Sequence, residues 1–130
     1  MATVNYIQEK TQSASVMKKV IDYCSREDKT IEQKTGIRYL SGVNCDGTNA
    51  YEDFIATKML HQKMSGFMFY HYDQSFHPDE IITHDKAHEI AKEFAEKAWP
   101  GHEVLVATHC DAKHIHSHFV VNSVSFRDGK

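Results

Sequence analysis

The chain has 130 residues, 25% of them charged, with a formal net charge of −3 and three cysteines. That length suits one domain around one hydrophobic core. No apolar run could span a bilayer, the N-terminus lacks the basic-then-apolar layout of a signal peptide, and Cys24, Cys45 and Cys110 are too few and scattered for a disulfide framework or a Cys-based zinc site. A cytoplasmic chain with reduced thiols and no membrane partner is expected. The acidic balance argues against holding nucleic acid by bulk electrostatics alone, and any such grip would need a local basic patch or flanking sequence.

Thr3 to Gln8 alternates and is rich in β-branched and aromatic residues, the mark of a first strand. Ser13 or Ser15 can cap a helix whose apolar stripe is Val16, Val20 and Cys24, with Tyr23 near the buried side of its end. Arg26 to Lys34 is charged and without period, hence a loop. Ile37 to Cys45 reads as a second strand ended by the turn signal Asp46-Gly47. A second helix should run from Thr48 or Asn49 to about Met64, with Tyr51, Ile55 and Met59 inward and Gly66 beyond its end.

Phe67 to Phe76 is aromatic enough for a central strand, stopped by Pro78. Thr83 is placed to cap a third helix carrying Ala87, Ile90, Ala91, Phe94 and Ala98 at helical spacing, closed by Pro100-Gly101. Glu103 to His109 and His114 to Val124 complete the order β-α-β-α-β-α-β-β. The short link between the last two strands demands an antiparallel pair. The expected class is α+β: a single, mostly antiparallel five-stranded sheet with helices packed on one face and the other face free for a site. In the last strand Ile115, Phe119 and Val121 would face the helices, leaving His114, His116 and His118 on the free face.

Four of the ten histidines lie between His109 and His118. A lone strand histidine is usually structural, but no packing argument favours a row of half-polar rings. Imidazoles at i and i+2 of a strand stand about 6.6–6.8 Å apart at the backbone and can converge on one ion. His114 and His118 are about 13 Å apart along the strand, so the ion takes the 114/116 or the 116/118 pair. A tight hairpin through Cys110 to Lys113 would set His109 opposite His114 and favour His109, His114 and His116. Asp111 can either orient an imidazole or start the turn. Tyr23 stands out among six tyrosines because it closes a helix just before the basic loop, where a phenol can reach a phosphate held beside positive charge. Its neighbour Cys24 continues the apolar stripe and reads as a core thiol.

Several segments match a known family in order: Val20-Ile21-Asp22-Tyr23 with Lys29-Thr30; Gln74-Ser75-Phe76 with Pro78 and Glu80; Ala87-His88-Glu89-Ile90; and Thr108-His109-Cys110-Asp111 running into His114-Ile115-His116-Ser117-His118-Phe119-Val120-Val121-Asn122. The chain thus resembles the relaxase, or mobilisation nuclease, domain of the MobP-like group of His-hydrophobe-His (HUH) endonucleases. The resemblance implies that Tyr23 attacks a scissile phosphodiester and that His109, His116 and His118 hold a divalent ion. That ligand set differs from the one the assumed hairpin favours, and the register of Phe119 to Asn122 decides for it. His114 becomes an auxiliary neighbour, and Asp111 joins the catalytic set.

The implied activity is site- and strand-specific nicking of DNA at an origin of transfer, through a 5′-phosphotyrosyl intermediate, to mobilise a plasmid or integrative element. The implied metal is Mg²⁺ or Mn²⁺, with Zn²⁺ or Ni²⁺ as in vitro substitutes. The expected partners are single-stranded DNA, contacted by Lys29, Arg38, Lys113 and Arg127, and accessory relaxosome proteins. Residues 1–130 are expected to be the amino-terminal part of a longer protein. Competing readings are a replication initiator or transposase of the same endonuclease class, a non-catalytic metal- or DNA-binding module, and a metallohydrolase indifferent to Tyr23.

Overall fold

The computed structural model describes residues 2–77 and 79–130. The expected stop at Pro78 lies outside them. Five strands, β1 (Ala2–Ile7), β2 (Leu40–Val43), β3 (Phe69–Phe76), β4 (Val104–His109) and β5 (His116–Asn122), form one sheet in the order β1-β3-β5-β4-β2. Every neighbouring pair is antiparallel. The α+β class with a single antiparallel sheet is therefore as the sequence implied. Between the strands lie α1 (Ala14–Cys24), the single turn α2 (Glu27–Thr30), α3 (Ala50–Leu60) and α4 (His84–Ala98).

The helices do not share one face. Met17, Ile21 and Cys24 of α1 and Ala50 and Phe54 of α3 pack on Phe69, Leu105, Ala107 and Val120. Ala91 and Ala95 of α4 pack on Val104, Val106, Phe119 and Val121 from the other side. The one-face arrangement is thus corrected, and the reason is visible in β4 and β5, which are buried along almost their whole length and need cover on both faces. Phe119 and Val121 do face a helix, but only α4. His116 and His118 are in step with Val120, and His109 with Ala107, so the histidines occupy the face of α1 and α3, beyond the end of α1.

Local signals explain most element ends. Ser13 Oγ accepts from the Val16 amide and caps α1, and Thr83 Oγ1 accepts from the Lys86 amide and caps α4. Gly101 beyond α4 has φ +83°, a conformation glycine adopts without strain. Where β2 ends, the chain folds back so closely on Cys45 that a Cβ at Gly42 would collide with its carbonyl.

Other expectations shift. β2 keeps only Leu40–Val43, and Ile31 and Arg38 form an isolated bridge upstream. The helix predicted to reach Met64 stops at Leu60, before Gln62 at φ 55°. Its inner residues are Ala50, Phe54, Thr57 and Lys58, whereas Met59 is exposed and Tyr51 and Ile55 are only partly covered. Lys58 is tolerated there because its ammonium donates to the Met68 carbonyl at 2.6 Å and to Ser123 Oγ at 3.1 Å. On α4, Ala95 is buried and Ala98 is exposed. β5 begins at His116, which leaves His114 exposed in the preceding loop.

Candidate active site

The β4–β5 hairpin places His109 opposite His116, with residues 110–115 as its loop. The shorter turn that would set His109 opposite His114 does not form, and the set His109, His114 and His116 falls with it. His118 lies two residues further along β5, on the same face. The rings of His109 and His118 are 4.4 Å apart, those of His109 and His116 5.0 Å, and those of His116 and His118 5.1 Å. One ligand nitrogen from each of the three lies within 4.8 Å of the others. His114 contributes its carbonyl, 3.3 Å from His116 Nδ1.

Burial lowers the pKa of His118 to about 2, aided by its histidine neighbours, and it also lowers that of His109. Both rings are therefore neutral near pH 7, with lone pairs available to a cation. The chemistry and closeness of this donor set fit a divalent ion held by His109, His116 and His118. A second group, Cys24, His71 and His118, is as closely spaced. Cys24 has its thiol pushed up to about 12 by burial in the metal-free protein, so binding there must first displace a tightly held proton, which the three-imidazole set does not require. Its place as a fully buried core thiol is as expected.

The end of α1 brings Tyr23 to this cluster. The His109 ring sits 3.0 Å, at Nε2, from the Cys24 carbonyl, tying the helix terminus to β4. Tyr23 meets His109 edge-on with ring centroids 6.2 Å apart, and it is 48% exposed, which corrects its placement near the buried side. A phenol in this position is open to a large substrate. The segment 26–34, expected to be a loop, contains α2, and the Cys110 amide donates to the Lys29 carbonyl at 2.6 Å. Lys29 Nζ in turn lies 5.1 Å from the Tyr23 ring centre and 3.1 Å from Asp111 Oδ2.

Asp111 thus reaches Lys29 and not an imidazole. Lys113 stands exposed in the hairpin loop beside His114. Arg38 is engaged locally, donating to the Ser25 carbonyl at 2.6 Å and to Thr30 Oγ1 at 3.3 Å. Arg127 follows the far end of β5, about 20 Å of strand away from His116, and is not brought to the site.

Two groups were given no role by the sequence reading. His71 of β3 places Nε2 2.9 Å from His118 Nδ1, and its own Nδ1 is 3.4 Å from Glu9 Oε1. On the opposite face, His88 of α4 lies 2.7 Å from Ser41 Oγ and 2.8 Å from Thr108 Oγ1, which is 2.8 Å from Ser117 Oγ. This chain of contacts ties β2, β4 and β5 together directly behind the histidines. The available signal was a polar ring within an apolar stretch: a buried imidazole needs a partner for each nitrogen.

The family described as "Relaxase: MobA/VirD2-like, nuclease domain" matches residues 23–130. A "Protein rlx" of Staphylococcus aureus is 38% identical over 120 residues, covering 92% of this chain and 34% of its own. Another "Protein rlx" of the same species is 35% identical over 121 residues, covering 93% and 34%. The "Group II intron-interrupted relaxase LtrB" of Lactococcus lactis subsp. cremoris (strain MG1363) is 30% identical over 136 residues, covering 83% of this chain and 23% of that one. The chain therefore spans about a third of the length of the first two relatives. No solved structure matches it.

Proposed function

Because the chain belongs to the MobA/VirD2-like relaxase nuclease-domain family, we propose that it nicks one DNA strand at an origin of transfer, with Tyr23 as the nucleophile, to mobilise a plasmid or integrative element. The observation that carries this reading is the half-exposed phenol of Tyr23, edge-on to His109 within a three-histidine cluster, at a helix end that a single strand can approach. Tyr23 Oη bonds to phosphorus and loses its proton. The bond from phosphorus to the 3′ oxygen breaks, and that oxygen takes up a proton. The product is a 5′-phosphotyrosyl protein and a free 3′ hydroxyl, which retains the bond energy for rejoining. His109, His116 and His118 would hold a divalent ion, Mg²⁺ or Mn²⁺, which would supply positive charge to the phosphate oxygens.

Lys29 offers the phosphate a positive charge beside the phenol, and Asp111 keeps that ammonium in place. Lys113 extends this basic edge along the hairpin loop. Substrate is single-stranded DNA, with accessory relaxosome proteins as partners. The test is incubation of the protein with Mn²⁺ and a labelled single strand carrying the origin of transfer. A covalent protein–DNA adduct is expected from the natural sequence and none above background from Tyr23→Phe. Equal adduct yields from both would overturn the role of Tyr23, and cleavage without any adduct would point to a water-using hydrolase.

A further inference from the structure

The hydrogen bonds around His118 give a specific role to two residues outside the ligand set. We propose that Glu9 and His71 are positioning residues that fix the tautomer of His118, so that its Nε2 faces the ion as a bare lone pair. This inference rests on the metal reading above. It follows from the donor and acceptor capacity of each group. The Glu9 carboxylate can only accept, so the His71 nitrogen beside it, Nδ1, carries the proton. His71 Nε2 is then a lone pair, and the group 2.9 Å from it, His118 Nδ1, must be its donor. With its proton on Nδ1, His118 keeps Nε2 unprotonated.

The alternative donor to His71 is the Cys24 thiol, but its sulfur is 3.8 Å away and S–H is a weak donor. The geometry suits a fixed relay. His71 is 6% and His118 8% exposed, so packing resists the ring flips that would exchange which atoms face each partner. Carboxylate-to-histidine contacts behind a metal ligand typically change metal affinity 10–100-fold when removed. Here the contact is extended by one imidazole, which spans the distance from the end of β1 to the centre of the sheet.

The test combines metal affinity with a direct reading of the proton. Long-range ¹H–¹⁵N correlation on the metal-free protein should show His118 protonated at Nδ1, and calorimetry should give a Mn²⁺ affinity weakened roughly 10–100-fold in His71→Leu. His71→Gln, which restores an acceptor near the Nε2 position, should recover most of it. A purely packing role would favour Leu over Gln. Should His71→Leu not fold, Glu9→Leu against Glu9→Gln poses the same question at a side chain that is 29% exposed. An Nε2 proton on His118 in the natural protein, or unaltered Mn²⁺ affinity in the Leu variants, would overturn the relay. So would a sulfur-to-cobalt charge-transfer band on Co²⁺ binding that vanishes in Cys24→Ser, because His71 would then be a ligand itself. Failure of the natural protein to bind Mn²⁺, with His118 still protonated at Nδ1, would sink the metal reading and uphold the hydrogen-bond relay.

Discussion

Lys29 shows how one side chain acquires a role from its neighbours. Its ammonium lies over the ring of nearby Tyr23 and is held by Asp111, which is far away in the chain. Both partners are partly exposed, so the ion pair itself adds little stability. In the proposed nicking reaction its value is placement of a positive charge where a phosphate would sit. Lys29→Ala is accordingly expected to leave the fold intact, weaken single-strand binding roughly uniformly across sequences, and reduce the slope of log affinity against log salt by about 1. Fluorescence anisotropy across a salt series measures this, and an unchanged slope would remove Lys29 from the DNA-binding set. The types and spacing of the histidines were legible in the chain, as was Tyr23 beside a basic segment. The partner of Asp111 and the remoteness of Arg127 were not, because neither follows from neighbours in sequence.

At the level of elements, α3 shows where periodicity misleads. Helical spacing assigned Met59 to the core, and packing instead exposes it and buries Lys58. Lys58 buries its long apolar stem while its ammonium finds two oxygens, a combination that no hydropathy pattern records. Phe54 is fully buried in the cluster shared with α1, and Met59 is 63% exposed. Phe54→Ala should cost about 3–5 kcal/mol, whereas Met59→Ala should stay within about 0.5 kcal/mol of the parent. Urea denaturation compares them, and similar losses would contradict the assigned helix face. The capped helices α1 and α4 were legible because Ser13 and Thr83 act locally.

Across the whole molecule, buried histidines couple stability to pH. Burial lowers His88 to about 4 and His118 to about 2, against 6.5 in the unfolded chain. Between those values the unfolded state binds more protons, so stability rises with pH. The contribution is fully present above pH 6.5 and is lost as pH falls toward the folded values. Each histidine should remove roughly 1 kcal/mol per pH unit within its window. Urea midpoints of the metal-free protein at about pH 7.5 and about pH 5 test this, with His88→Gln expected to flatten part of the slope. A midpoint independent of pH would show that these rings are not buried as neutral groups.

The sequence by itself determined the α+β class, the antiparallel hairpin, the caps of two helices, and the residues capable of the chemistry. These follow from local propensity and from residue type, which the chain carries without reference to its fold. Only the tertiary structure decided that His109 pairs with His116, that α4 covers the face opposite the histidines, and that His71 and Glu9 stand behind His118. Register and the choice of sheet face depend on contacts between residues distant in sequence. A one-residue slip would send every side chain of β5 to the other face. Burial of β4 and β5 from both sides holds that register, and with it the place where the end of α1 presents Tyr23 to the three histidines.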